Sequence, residues 1–212
     1  MWVIKGLRKG IITTKYPDEK PTKDEVPEIG VPVHRHGDIK AAMGVCPTDA
    51  ISEALDFYKC IFCQRCEDYG FEMTGNVEIA EVNRKLPFSG SVHIFLVDAG
   101  SCNACNRELD MLTNPYYDLH RLGFFFTPTP RHADIMFVIG KVTDRMVEPM
   151  LKAYEAMPEP KIVVAAGSCA TSGGIFGNEG VDRYINVDAK ISGCPPSPIG
   201  LLYGLLKTYR RR

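Results

Sequence analysis

The chain has 212 residues, a formal net charge of -1, 45% hydrophobic and 24% charged residues. This suits one or two globular domains with real cores and gives no global field for nucleic acid or an anionic membrane. No apolar run reaches the roughly 18 residues of a membrane span, and Lys5, Arg8 and Lys9 interrupt any signal-peptide core. The expected location is therefore cytoplasmic. Thiols stay reduced there, so eight cysteines read better as metal ligands than as disulfides.

The N-terminal "MWVIKGLRKGII" interleaves Trp2, Ile4, Leu7 and Ile11 with Lys5, Arg8 and Lys9. That pattern suits a short amphipathic anchor against a membrane arm or a docking segment on another subunit. Residues 10–37 carry Pro17, Pro21, Pro27 and Pro32 among charges and read as an extended, irregular arm.

"CPTDAISEALDFYKCIFCQRCEDYGF" follows at residues 46–71. Two-cluster ferredoxins use C-x2-C-x2-C-x3-C-P twice, each fourth cysteine serving the other cluster. Aligned to that run, the chain has His36, Ile39 and Ala42 before Cys46, and Gly70 after Cys60, Cys63 and Cys66. The four missing ligands are the whole set for one cluster. The four that remain are the whole set for the other. Without partner ligands, His36 reads as a solvent-facing histidine.

From about residue 89 the pattern changes. "SVHIFLVDAG" (91–100), "ADIMFVIG" (133–140) and "KIVVAAG" (161–167) are short apolar runs ending at glycine, as buried parallel strands do. Met146, Val147, Met150, Leu151 and Tyr154 recur at helical spacing behind Asp144, a candidate N-cap. "RYINVDAKI" reads as a weak strand, and a last helix begins after Pro198 with Leu201, Leu202, Leu205 and Leu206. The alternation predicts an open, mostly parallel α/β sheet.

On that frame Cys102 and Cys105 follow the first strand, Cys169 follows "KIVVAAG", and Cys194 follows the weak strand. All four are expected in loops at the carboxyl ends of strands, where open α/β sheets build their sites. Gly100, Ser101, Ala104, Gly167, Ser168, Gly173 and Gly193 surround them, small enough to let backbone N–H groups approach cluster sulfurs. Structural zinc is the alternative, although zinc modules usually bring two close pairs. Buried, unliganded cysteine is a further one. No dinucleotide fingerprint, nucleophile–base pair or additional nickel ligands are evident.

The residues from about 91 onward resemble the small subunit of membrane-bound group 4 NiFe hydrogenases and the proximal-cluster subunit of respiratory complex I. "DAGSCNACNREL", "NPYYDLHRLGF", "PRHADIMFVIGKVT", "MPEPKIVVAAGSCATSGG" and "SGCPPSPIGLLYGLL" carry the likeness. "GLRKGIITTKYP" and the cysteine run after it resemble the ferredoxin-like subunit of formate hydrogenlyase complexes. The resemblance implies two units. Residues 1–88 form an arm with a reduced, single-cluster ferredoxin-like segment, and residues 89–212 a flavodoxin-like, doubly wound domain. It implies two 4Fe–4S clusters, one on Cys46, Cys60, Cys63 and Cys66 and one on Cys102, Cys105, Cys169 and Cys194.

The family motif C-N-G-C-[DE]-I-E is altered here, with Asn106 and Arg107 before Glu108. A cation at 107 favours the reduced form of a nearby cluster and raises its potential. Glu108 matches the family glutamate, a proton-relay or interface carboxylate; a helix N-terminal Glu stabilised by the dipole is the alternative. Arg131 matches a family arginine at the large-subunit interface, or is a solvated loop residue. His93, His120 and His132 read as ordinary residues.

The implied function is electron transfer within a membrane-associated hydrogenase, formate hydrogenlyase-like or ferredoxin-linked. Its implied partners are a large subunit, a further iron–sulfur or ferredoxin partner, and membrane subunits holding the chain on the cytoplasmic face. The first set is the expected point where electrons arrive or leave, and the second the neighbour of the catalytic centre. A complex I-like oxidoreductase without nickel, with quinone as one candidate acceptor, is the second reading, and a zinc-stabilised interaction protein the third.

Overall fold

Charged and apolar residues interleave at helical spacing at the N-terminus, and a helix forms there. In the computed structural model, which describes residues 2–9, 16, 30–74, 80–88, 90–177 and 179–209, it is α1 (Trp2–Lys9). Val3, Ile4, Lys5 and Arg8 are all exposed on it. Ile11 and the arm prolines 17, 21 and 27 lie outside the described residues. The end of the arm is ordered by pairing: β1 (Pro32–His34) runs antiparallel to β2 (Phe71–Met73). Pro32 takes the first strand position, where a missing N–H costs least. Asp38 then starts α2 (Ile39–Val45), its carboxylate accepting the Lys40 N–H at 2.9 Å. Ala42, Ile51, Cys66 and Phe71 form a small separate core here.

The main sheet has six strands. The edge strand β3 (Ala80–Val82) comes first in the chain, followed by β4 (Val92–Asp98), β5 (Phe124–Phe126), β6 (Ile135–Ile139), β7 (Ile162–Ala166) and β8 (Ala189–Ile191). Spatial order is β3-β8-β7-β6-β4-β5; β3 is antiparallel to β8 and all other pairs are parallel. Counting only the parallel strands in chain order, the sheet reads second, first, third, fourth, fifth. That is the doubly wound order of flavodoxin-like folds. The edge β3 and the fully buried Leu86 both precede residue 89, so the sheet and its core recruit chain from before the predicted unit boundary.

Side chains alternate along each strand, so a buried parallel sheet feeds two cores. Ile135, Phe137 and Ile139 of β6 face one, with Leu109 of α3 (Ala104–Met111) and Leu201, Leu202 and Leu205 of α6 (Pro198–Lys207). Met136 and Val138 face the other, with Met150 of α4 (Asp144–Ala156) and Ala170 of α5 (Ser168–Ser172). α6 starts as its sequence predicts: Ser197 Oγ accepts the Gly200 N–H at 3.2 Å and Pro198 opens the helix. α4 differs by one residue. Thr143 is the N-cap and Asp144 the first helical residue, and the Thr143 hydroxyl donates to the Ala99 carbonyl instead of capping.

Asp188 locks the β8 edge to the body. It is 3% exposed. Its carboxylate accepts the Val163 N–H at 2.9 Å and two Arg84 N–H groups at 2.9 and 3.2 Å. Asp188→Ala strands the buried Val163 N–H and leaves the Arg84 guanidinium with the Lys161 carbonyl, and is expected to lower stability by about 2–3 kcal/mol. Denaturant unfolding followed by far-UV circular dichroism checks this; a midpoint like that of the wild type would refute it.

Candidate metal centres

All eight cysteines are free thiols. Cys46, Cys60, Cys63 and Cys66 line a single pocket together with Pro47, Ile61 and Phe62. Cys46 ends α2; the other three ride an irregular loop in which Phe62 and Gln64 hold φ of 53° and 64°. A bulky residue with positive φ is a backbone outlier, of the kind kept where a loop must aim side chains inward. Backbone N–H groups already point at the sulfurs: Ala50 N–H to Cys46 Sγ at 3.3 Å and Phe62 N–H to Cys60 Sγ at 3.4 Å. Cys60 and Cys66 are buried, and Cys63 is exposed.

The positions of the absent ferredoxin ligands have another use. Ala42 is fully buried in the small core, and Ile39 packs against that core. Gly70 has φ of 88°, and a Cβ there would lie 1.6 Å from the His36 carbonyl oxygen. The Gly70 carbonyl in turn accepts the Arg35 N–H at 2.9 Å. Two of the four positions therefore meet backbone to backbone, and the His36 side chain is exposed, as expected.

The second set gathers at the carboxyl ends of the parallel strands. Cys102 lies in the turn after β4 and Cys194 in the turn after β8, both exposed. Cys105 and Cys169 are not in loops; they occupy the first turns of α3 and α5, because β7 passes into α5 through Gly167 alone and the turn after β4 is only residues 99–103 long. Strand ends are tied together by Gly167 N–H to Ile191 O at 2.9 Å and Ser168 N–H to Gly193 O at 2.7 Å, which sets the Cys169 turn beside the Cys194 turn. Gly167, with φ of 86°, leaves room for the thiol: a Cβ there would sit 2.9 Å from Cys105 Sγ. Of the predicted small residues, Gly167 is the glycine that makes room for a thiol; Gly100, Gly173 and Gly193 instead make room for the backbone of Lys141, Gly177 and Pro196.

Asp98, at the end of β4, organises the Cys102 turn, and sequence reading missed it. Its carboxylate accepts N–H groups of Gly100 (3.1 Å) and Ser101 (2.8 Å), the Ser101 hydroxyl (2.8 Å) and the Asn106 amide (2.8 Å). Burial pushes this carboxyl up, but the donors from Asn106 and Ser101 outweigh it and hold it below the ordinary value. The signal was present as an Asp followed by Gly and Ser at a strand end, a side-chain-capped turn. Asn106, the departure from the family motif, is spent on this turn.

The buried thiols interact with one another within each set. Burial pushes Cys60 up to about 12; the Phe62 N–H opposes this, and Cys66, Cys46 and Cys63 add to it. Burial pushes Cys105 up to about 12 as well, followed by Cys169, Cys194 and Cys102. Cys169 is raised by burial and Cys102, against the pull of the Lys141 ammonium. Thiolate nucleophiles have lowered values. Raised, mutually repelling thiols have the opposite character, and the charge of a metal group is what ionises such a set. Four thiols, N–H groups aimed at sulfur and a glycine cradle fit a thiolate-ligated cluster. Among the described residues no group of three or more His, Cys, Asp or Glu is drawn together for a single metal ion.

Glu108 is the fifth residue of α3 and half-buried, so it is not at the helix N-terminus; burial raises its carboxyl. Arg107 and Arg131 are exposed. His93 Nδ1 pairs with Asp134 at 3.6 Å, His120 stacks on Phe125 and His132 is exposed, away from any ligand group.

A doubly wound sheet with thiols converging at its carboxyl edge is the framework of a redox subunit. Residues 102–208 match the family described as NADH ubiquinone oxidoreductase, 20 kDa subunit, and the chain belongs to it. It is accordingly a subunit of the hydrogenase and complex I-like class of oxidoreductases. It is 40% identical over 144 residues to a probable membrane-bound hydrogenase subunit of Pyrococcus furiosus, covering 63% of this chain and 86% of that one. Over 139 residues it is 40% identical to formate hydrogenlyase subunit 7 of Escherichia coli, covering 62% of this chain and 54% of that one. A chain of the archaeal membrane-bound sulfane sulfur reductase, a respiratory membrane complex, is 34% identical with a TM-score of 0.50, over 56% of this chain and 68% of that one. No helix among the described residues is long and apolar enough to cross a membrane.

Proposed function

We propose that the chain is the electron-relay subunit of a membrane-associated, energy-converting NiFe hydrogenase, formate hydrogenlyase-like or ferredoxin-linked. Cys46, Cys60, Cys63 and Cys66 would hold one 4Fe–4S cluster, and Cys102, Cys105, Cys169 and Cys194 a second. When bound, each cluster supplies one-electron redox chemistry. The observation that carries the reading is geometric: Cys46, Cys60, Cys63 and Cys66 line one pocket, and Cys102, Cys105, Cys169 and Cys194 come from separate stretches of sequence to the carboxyl ends of the parallel strands. The protein's part is to aim thiols and N–H groups at each cluster and to shield its buried side.

Ile175 and Phe176 are exposed just after α5, next to the second set, and Cys102 and Cys194 are exposed with them. An apolar patch beside solvent-reached ligands suits coverage by a large subunit. Glu108 and Arg131 are the candidate interface or relay residues on this side. The first set, with Cys63 exposed, faces a ferredoxin or iron–sulfur partner. Membrane subunits would hold the chain peripherally on the cytoplasmic face.

The second reading is a complex I-like oxidoreductase lacking nickel, with quinone as one candidate acceptor. The family description, the likeness to sulfane sulfur reductase and the exposed cation Arg107 favour it. Anaerobic purification is expected to yield about eight Fe per chain with cubane EPR signals on reduction; zinc without iron would remove both readings. Hydrogen evolution or uptake by the purified complex, with nickel in the large subunit, separates the first from the second.

A further inference from the structure

The segment leading into Cys60 is pinned to the sheet by hydroxyls from the two turns that carry Cys169 and Cys194. Ser192 Oγ donates to the Phe57 carbonyl. Thr171 Oγ1 donates to the Tyr58 carbonyl at 2.8 Å, and Ser172 Oγ lies 3.0 Å from the same oxygen. Ser168 Oγ donates to the carbonyl of Cys60 itself at 2.6 Å, with the Gly193 carbonyl a longer alternative at 3.1 Å. The Tyr58 phenol is anchored as well, by a hydrogen bond to Glu81 of β3. The hydroxyl contacts to Phe57, Tyr58 and Cys60 join residues more than 100 positions apart, and nothing in either cysteine motif requires them.

Ser168 differs from the rest of this seam. It is 1% exposed, precedes Cys169, and its N–H holds the carbonyl of Gly193, which precedes Cys194. One residue thus touches the backbone of one ligand of the first set and the neighbours of two ligands of the second. Thr171 and Ser192 reach only residues two and three positions before Cys60. A hydroxyl serving simply as glue would be interchangeable with those two. A short bond at the ligand residue itself fixes where Cys60 stands relative to Cys169 and Cys194.

We propose that Ser168 is a positioning residue that sets the separation of the two metal groups, a role that rests on the two-cluster reading above. The test uses the full chain in its complex, comparing Ser168→Ala with Thr171→Val. In the fully reduced wild type, two paramagnets held at fixed separation split or broaden each other's EPR lines. Ser168→Ala, at unchanged iron content, is expected to lose or visibly weaken that interaction, while Thr171→Val keeps it. Wild-type splitting in Ser168→Ala, or equal loss in both variants, overturns the proposal.

Hydrogen exchange of residues 57–62 in the same iron-loaded complex gives a second readout that is not a metal signal. Faster exchange in Ser168→Ala than in Thr171→Val supports the assignment, and equal rates overturn it. Failure of the underlying reading shows separately, in the wild type, as iron for fewer than two clusters; the proposal then falls with it.

Discussion

Cys60→Ala is expected to leave the chain with about four of about eight iron atoms and to loosen residues 31–74, whereas Cys105→Ala loses the other four and leaves the sheet folded. The asymmetry comes from what each set stands on. Around the first set the buried core is Ala42, Ile51, Cys66 and Phe71, and one of those four, Cys66, is itself a proposed ligand. A core this small does not hold a segment by apolar burial alone, and metal binding becomes folding free energy. The second set stands on strands whose side chains feed two large cores, with β6 and β7 buried along their whole length. Removing Cys105 takes away a ligand but none of that packing. Iron analysis with limited proteolysis of the two variants measures both halves. Retention of all the iron in either variant would contradict the ligand assignment, and equal protease resistance would contradict the asymmetry.

The features that were legible in the sequence are those in which one local pattern suffices. β6 and β7 are continuous apolar runs stopped by a turn residue, and their burial on both faces follows from having no polar side, while β4 carries His93 and Asp98 and is only partly buried on one face. α4 and α6 show a 3.6-residue period with start signals, and only the cap of α4 moved, by one residue, because the Thr143 hydroxyl is spent on Ala99. That Cys46, Cys60, Cys63 and Cys66 share one stretch of chain was legible, and the structure places all four around one pocket. What was not legible depends on distant partners. Ala80–Val82 has no strand pattern of its own and becomes β3 by pairing with β8. Pro32–His34 sits in a proline-rich stretch and becomes β1 only because Phe71–Met73 lies beside it. Cys105 and Cys169 fell inside helices, since turn length between strand and helix is a property of packing. The Ser168 bond to Cys60 spans 108 residues and leaves no local trace.

Gly70→Cys, which restores the fourth cysteine of the ferredoxin run, is expected to gain no iron and to lose stability by about 2–4 kcal/mol. A Cβ at this position would stand 1.6 Å from the His36 carbonyl oxygen and 2.5 Å from its carbon, both backbone atoms that no rotamer change can move aside. The residue also holds φ of 88°, a conformation that costs any L side chain. Relief requires pushing the 35–37 turn away, which breaks the Arg35 N–H to Gly70 O bond and pulls at the adjoining β1–β2 register. The thiol gains nothing in return, because the other three positions of the missing set are His36, Ile39 and Ala42, the last buried in the small core. Four coordinated substitutions would be needed before a ligand set existed, and one of them would place a polar thiol inside that core. Iron content with urea unfolding of the Gly70→Cys chain decides the matter. Unchanged stability would mean that the 35–37 turn gives way freely, and four additional iron atoms would mean that the site is vacant rather than filled. The expected outcome, less stability and no more iron, identifies residues 36–71 as a segment repacked around a single cluster.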